Sequence, residues 1–370
     1  MANLQNIRRR IKSVKNIQKI TNAMDMIARS RFNAAKDALL MNLPYVDKTR
    51  DIIRRLMSQM HGQEDQSPFI MTRKEMIEQE ELGNGKFLFL VIASDKGLAG
   101  AYASNVFKEA HDTIEYDGSE DASKEAKEEN FHKKNFDAIK DIRKNPQMGQ
   151  MRATKSHVKT SGMSRPTSTG GAAPSTANIS VVREYHDADY IDGIELITVG
   201  RKATAHFKQR GYNIIKQYSG ISERPQYKYA KVIADLIVER FMSGEITDVT
   251  MIYTRFVSAI SCVPDDVTLL PLITDDYVAE DLNVKEEYIY EPSPSLVLND
   301  FLPHRLATRI YGAMLHGAAS ELSSRMNAMS NATDNAQELI GKLNLYYNKV
   351  RQAGITNEIN EIVGGANALE

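Results

Sequence analysis

Leu322-Ser323-Ser324-Arg325-Met326-Asn327-Ala328-Met329 opens the stretch that decides the fold. Apolar or small residues continue at Thr333, Ala336, Ile340, Leu343, Tyr347 and Val350, in steps that alternate four and three. This is the a/d spacing of a coiled-coil seam. A seam so regular needs a long partner helix, expected at the other end of the chain. Leu4, Ile7, Ile11 and Val14 keep the same spacing there. Ile17, Ile20, Met24 and Ile27 continue it after one shortened step, which reads as a stammer. At Gly354 the C-terminal phase slips, and Ile355, Ile359 and Ile362 form a new stripe. Pro44 and Pro303 are expected to kink or interrupt their helices.

Between the two helices the periodicity changes. Residues 61–85 are polar and read as a connector, with one helical turn around Met71–Glu81. Phe87-Leu88-Phe89-Leu90-Val91-Ile92-Ala93 is a continuous apolar run, the mark of a buried parallel strand. Ser94-Asp95-Lys96-Gly97-Leu98-Ala99-Gly100 and a helix follow, the opening of a doubly wound unit. Further strands are read at Ile194–Gly200, Asn213–Tyr218, Asp248–Phe256 and Val267–Leu272. Helices are read at Lys202–Gln209 and Tyr227–Ser243, the latter with Val232, Ile233, Leu236, Ile237 and Phe241 inward. Strands alternating with helices predict a three-layer α/β domain over residues 86–275 with right-handed crossovers. Residues 117–176 interrupt it: acidic, then basic, then rich in Ser, Thr, Gly and Pro, they read as a flexible insertion.

Composition excludes several classes. A formal net charge of -1 gives no electrostatic reason for a nucleic-acid partner. Arg8, Arg9, Arg10, Lys12, Lys15 and Lys19 crowd the first helix, but beside a continuous seam they read as its solvated face. Cys262 is the only cysteine, so neither an intrachain disulfide nor a dithiol switch can form. No apolar run approaches the ~20 residues that cross a bilayer, and Met1-Ala2-Asn3-Leu4 opens no signal peptide. The eight histidines show no zinc spacing, and no G-x-S-x-G elbow is present. Asp265-Asp266 and Asp275-Asp276 read as solvated loop pairs. No catalytic residue, metal or cofactor is expected.

The tail carries a resemblance. Ile355-Thr356-Asn357-Glu358-Ile359-Asn360-Glu361-Ile362-Val363-Gly364-Gly365-Ala366-Asn367-Ala368 resembles the C-terminal signature of the gamma subunit of F-type ATP synthases. Ala332–Ala336, Tyr347–Ala353 and Lys19–Ala28 are similar to the same family, although Arg31 stands where many members carry Lys. The resemblance implies a fold of two parts: a long antiparallel coiled coil of the terminal helices and an inserted Rossmann-like domain that binds no nucleotide. Its segments would be residues 1–60, 61–85, 86–275, a foot at 276–302 and a final helix at 303–370. It also implies a central-stalk rotor with no active site of its own. The partners would be the alpha and beta subunits of the catalytic hexamer, the epsilon subunit and the membrane c ring. The chain would then lie at the cytoplasmic face of a bacterial cell membrane, peripheral and held there by the complex. By the same match Met24, Arg351, Gln352, Thr356, Glu358 and Glu361 would contact beta-subunit loops. Tyr288, Tyr290 and Glu291 would contact epsilon and the c ring. The competing reading is a coiled-coil scaffold carrying an α/β module for a nucleotide or lipid.

Overall fold

The computed structural model describes residues 2–60, 67–71, 86–117, 193–273 and 288–367. In chain order its elements are α1 (Ala2–Met60), β1 (Ile70–Met71), β2 (Phe87–Ile92), α2 (Tyr102–Asp117) and β3 (Ile194–Val199). Then come α3 (Arg201–Gln209), β4 (Asn213–Tyr218), α4 (Tyr227–Met242), β5 (Asp248–Phe256), β6 (Cys262–Leu270), β7 (Leu272–Ile273) and α5 (Pro294–Asn367). Met71, expected in a helical turn, closes β1, and the rest of that turn lies outside the described residues. So do residues 118–176 of the charged segment and Asp275-Asp276.

The helices α1 and α5 lie antiparallel. Gln18 Nε2 donates to Gln337 Oε1 at 2.6 Å, and the hydroxyls of Thr21 and Thr333 share a hydrogen bond of 2.7 Å. Further along, a methyl group on Gly312 would meet the Asn42 amide. The interval from Thr21 to Asn42 equals that from Thr333 back to Gly312, so one register holds throughout. It sets Phe32 opposite Leu322 and Leu39 opposite Leu315, and all four belong to one apolar cluster.

Burial along α1 corrects the stammer. The covered positions include Leu4, Ile7, Ile11, Val14, Gln18, Thr21, Asp25, Ala28, Phe32, Ala35 and Leu39, in four-three steps without a slip. Ile17, Ile20, Met24 and Ile27 face outward, 36% to 56% exposed. An apolar pattern alone follows the wrong residues here. Gln337 and Thr333 supply the partners that let Gln18 and Thr21 occupy the seam, and paired polar residues there fix a register that Leu and Ile would leave looser. On α5 the seam residues Met329, Ala336 and Ile340 are buried, and Leu343, Tyr347 and Val350 are half-covered. Gly354 has open space where a side chain would stand, and no described residue of α1 lies opposite it.

Neither proline ends its helix; both lie inside. α5 starts at Pro294, so the boundary expected at 303 moves back into the foot segment. Ser293 explains the start: its Oγ accepts the Leu296 N–H at 3.3 Å as the cap, and Pro294 takes the first-turn position, where its missing N–H costs nothing. Around Pro303, the buried Leu298, Leu302 and Leu306 hold the turn against the core.

The central sheet is mixed, in the order β4-β3-β2-β5-β6. β2 pairs in parallel with β3 and β5, and β3 in parallel with β4. β6 departs from the expected crossover pattern, returning antiparallel to β5. Asp265 and Asp266 therefore lie on an edge strand, not in a loop, and Asp265 forms an ion pair with Arg255, whose Nε lies 3.2 Å from Oδ2. Pro264 and two adjacent aspartates look like a loop in sequence, yet an edge strand tolerates a residue without an N–H. A small parallel pair, β1–β7, stands apart from this sheet. Phe89 and Val91 face α2 and α3, meeting Val106, Ala110, Ala203 and Phe207. Leu88, Leu90 and Ile92 face α4 and the α1–α5 pair, meeting Ile233, Ile237, Leu56, Leu306 and Ile310. β2 is buried on both faces, which is why it reads as an unbroken apolar run. On α4, Ile233, Ile237 and Phe241 are buried as expected, but Val232 is exposed.

The register makes a direct prediction for the purified chain. Thr21→Lys places a charge in the seam and lowers unfolding free energy by about 2 kcal/mol or more. Ile20→Lys, one residue earlier on the exposed stripe, changes it by about 0.5 kcal/mol or less. Urea denaturation of both variants checks the pair; the reverse ranking would restore the stammered seam.

Candidate functional site

The first candidate is the crevice at the carboxyl ends of β2 and β5. From β2 the chain builds outward to β3 and β4, then returns through α4 to β5 on the other side. Open α/β sheets bind ligands where the strand order reverses in this way. Here the chain itself fills the place. Asp95 Oδ1 accepts the Arg201 N–H at 3.1 Å, at the start of α3, and Oδ2 accepts the Ser222 N–H at 3.1 Å. A carboxylate of the chain thus sits where the first turn of a helix would otherwise receive an anion. Burial works against that charge, but the N–H groups of Gly220, Ser222 and Arg201 outweigh it and hold the Asp95 carboxyl below its ordinary pKa. The strands approach so closely that a methyl group on Gly200, whose φ is +102°, would overlap the Ala93 carbonyl.

From the other side α5 closes the crevice. Ser320 Oγ donates to the Thr254 carbonyl at 3.4 Å. Arg325 donates to Glu321 at 2.5 Å, Glu223 at 3.0 Å and the Gly97 carbonyl at 3.3 Å, tying α5 to two loops of the α/β region. Glu223 also accepts from Lys96 at 2.9 Å and from Arg31 of α1. Burial opposes the Glu223 charge, but Lys96, Arg325 and Arg31 hold its carboxyl below the usual range. Glu321 is fully buried, and that burial pushes its pKa up against the pull of Arg325. This arrangement joins α1, α5 and two loops of the α/β region.

The residues singled out from the sequence fall on three separate surfaces. Met24 is on the outward stripe of α1, 36% exposed. The register carries α1 only as far as about Gln352, so α5 continues alone past its partner. Arg351, Gln352 and Thr356 are exposed where the partner ends, about 30 Å along the helix from the level of Met24. Thr356 Oγ1 donates to the Gln352 carbonyl at 3.0 Å. The side chains of Glu358 and Glu361 lie outside the described residues. Ile355, Ile359 and Val363 expose about half of their surface on this lone helix. Tyr288 and Tyr290 stand 6.4 Å apart by ring centroid, and the Arg55 guanidinium lies 4.8 Å over Tyr288. Glu291 beside them is exposed. Sequence reading missed Arg55, because nothing in the spacing of α1 links its far end to residues 288–290.

Among the described residues, no group of three or more His, Cys, Asp or Glu could hold a metal ion. No described helix is long and apolar enough to cross a membrane.

The chain matches the family model described as ATP synthase over residues 3–159 and 171–369. It is 33% identical to the ATP synthase gamma chain of Halothermothrix orenii, covering all of both chains. It is 32% identical to that of Pelotomaculum thermopropionicum, again end to end. In fold it is similar to a chain of the Euglena gracilis mitochondrial ATP synthase OSCP/F1/c-ring structure, with a TM-score of 0.57 and 16% identity. That similarity covers 100% of this chain and 95% of the other.

The closure of the crevice has a measurable cost structure. Arg325→Met leaves Glu321 buried without its counter-charge and lowers stability by about 3–5 kcal/mol. Adding Glu321→Leu to that variant restores most of the loss. Urea midpoints of the single and double variants decide it, and a double variant as weak as the single would contradict this role for the ion pair.

Proposed function

The chain belongs to the ATP synthase gamma chain family, and from that membership we propose that it works as the central-stalk rotor of an F-type ATP synthase. In this reading α1 and α5 form a coiled-coil shaft, and the sheet with its helices is a Rossmann-like domain that serves as a grip. The partners are the alpha and beta subunits around the tip, with the epsilon subunit and the c ring at the foot. The chain reaches the cytoplasmic face of the membrane through the complex alone and has no catalytic site of its own.

One observation carries the reading: α5 outruns its partner and still presents Ile355, Ile359 and Val363. An apolar lone helix is costly in water and favourable inside a sleeve of protein. Rotating such a helix presents different faces to three otherwise equivalent catalytic sites. Each site then shifts toward the state whose contacts the facing surface favours, since a ligand moves an equilibrium only by its differential affinity. Met24, Arg351, Gln352, Thr356, Glu358 and Glu361 are the proposed contacts to beta-subunit loops. Tyr288, Tyr290 and Glu291 are the proposed contacts to epsilon and the c ring. The domain boundaries follow as residues 1–60, 61–85 and 86–275, with the last helix now taken from 294. The alternative, a scaffold with a nucleotide- or lipid-binding module, is disfavoured by the crevice that Asp95 and α5 fill.

Reconstitution with alpha and beta subunits tests this. The full chain is expected to co-purify with them and to support ATP hydrolysis. A chain ending after Val350 should lower turnover toward that of the hexamer alone. Failure of the full chain to assemble, or full turnover with the truncated one, would sink the proposal.

A further inference from the structure

α5 changes character along its length. From Gly317 to Ser323 seven consecutive residues are buried, nearly two turns, so the helix is covered on every side. From Thr333 to Val350 the covered residues are Thr333, Ala336, Ile340, Leu343, Tyr347 and Val350, the seam toward α1 and nothing else. Residues 320–328 are therefore the last stretch where the sheet and its loops hold α5.

Three bodies meet α5 there, each along its own stripe. Leu322, Met326 and Met329 form the seam toward α1. Ser320 Oγ donates to the Thr254 carbonyl of β5 at 3.4 Å, and Asn327 Nδ2 donates to the Ala259 carbonyl of the β5–β6 hairpin at 2.7 Å. Arg325 reaches Glu223 at 3.0 Å and the Gly97 carbonyl at 3.3 Å, and a methyl group on Gly100 would stand 3.9 Å from that of Ala328. At about 100° per residue, the three stripes point about 100–140° apart around the helix axis. They enclose α5 from three sides.

The enclosing bodies are also tied to one another. Glu223 accepts from Arg31 of α1 as well as from Arg325 and, at 2.9 Å, from Lys96. One carboxylate thus joins α1, α5 and both loops. On the other side, Phe256 at the end of β5 packs against Phe32 of α1. The hairpin is held from within, where Ser258 Oγ accepts the N–H of Ile260 at 3.3 Å and of Ser261 at 3.0 Å. A closed ring runs from α1 through the loops to α5 and back through the hairpin. Apolar contact is non-directional and resists rolling of a helix weakly. Hydrogen bonds weaken steeply with angle, and these stand at the rim of the helix, where they oppose a turning moment best.

Resting on the rotor reading above, we propose that residues 320–328 are the grip through which turning force crosses between the α/β region and the helix pair. Asn327 and Glu223 are its positioning residues. Both act through α5, not on the catalytic sites themselves.

The variant Glu223→Gln, Asn327→Ala tests the grip in the complex and in the free chain. The parent chain carries a bead on a cysteine placed at Lys208, exposed on α3, with Cys262 replaced by Ser, and is assembled with alpha and beta subunits. ATP then drives the tip, and the bead turns only as far as the grip passes the force on. With a small bead, variant and parent should turn alike. With a large bead of high drag, the variant should slip, so that the ATP consumed per turn rises in it and not in the parent. A folding defect alone would lower turns and turnover together at either bead size. In the free variant, hydrogen exchange at residues 320–328 should lose about tenfold or more in protection, while β2 and β3 keep theirs. Asn327→Ala alone, which leaves the ion cluster whole, should shift both readouts the same way by less. A parent bead that does not turn would overturn the rotor reading and the grip with it. A parent that turns beside a variant that carries the same load without slipping, or unchanged exchange at 320–328, would overturn the grip alone.

Discussion

Two hydrogen bonds between helices, Gln18 to Gln337 and Thr21 to Thr333, set the register on which the rest of the molecule depends. Apolar seams are permissive: sliding one helix by a turn still buries leucines against leucines. A polar layer is less so, because a slipped partner takes from the buried Thr21 hydroxyl its bond to Thr333. With this layer in place, Phe32 reaches both Leu322 of α5 and, at 5.6 Å between ring centroids, Phe256 at the end of β5. One register therefore positions the helix pair and the sheet together.

The sheet holds α5 across the place where open sheets of this topology commonly take a ligand. Its reversal point, the usual ligand site of such a topology, is occupied by Asp95 on one side and by Ser320, Glu321 and Arg325 on the other. Arg325 is the common element of that closure, since it reaches Glu321 on its own helix, Glu223 and the Gly97 carbonyl. A buried ion pair of this kind contributes little net stability over a well-packed apolar one, but it penalises every other arrangement. For a subunit that must pass torque from one part of its own chain to another, directional rigidity of this sort is what the work requires.

Much of this was legible in the sequence, and the failures have specific causes. The C-terminal seam, the apolar run of β2, strand β4 and the inward face of α4 around Ile233 and Ile237 all followed from spacing. The stammer at Ile17 did not hold, because a pattern of apolar residues cannot register that Gln18 and Thr21 find partners hundreds of residues away. Pro303 outweighed the better signal nearby, the Ser293-Pro294 cap. The first half of β6 was hidden by Pro264 and its two aspartates, whose place at an edge depends on what pairs beside them. Arg55 over Tyr288 is a product of tertiary folding, with no trace in local spacing. The tail was legible in a different way: its residues resembled a family before any geometry was known, whereas the exposure of Ile355, Ile359 and Val363 required the register of α1.

The central claim is that the helix pair turns as one body inside its partners. Single-molecule rotation tests it most directly. The assembly would be immobilised through the hexamer and a bead attached to a cysteine introduced at Ile260, a residue 91% exposed on the β5–β6 hairpin, with Cys262 replaced by Ser. The account predicts that ATP drives the bead in one direction, halting three times per turn, once for each catalytic site. ATP turnover at its normal rate with a bead that only fluctuates about a fixed angle would contradict it.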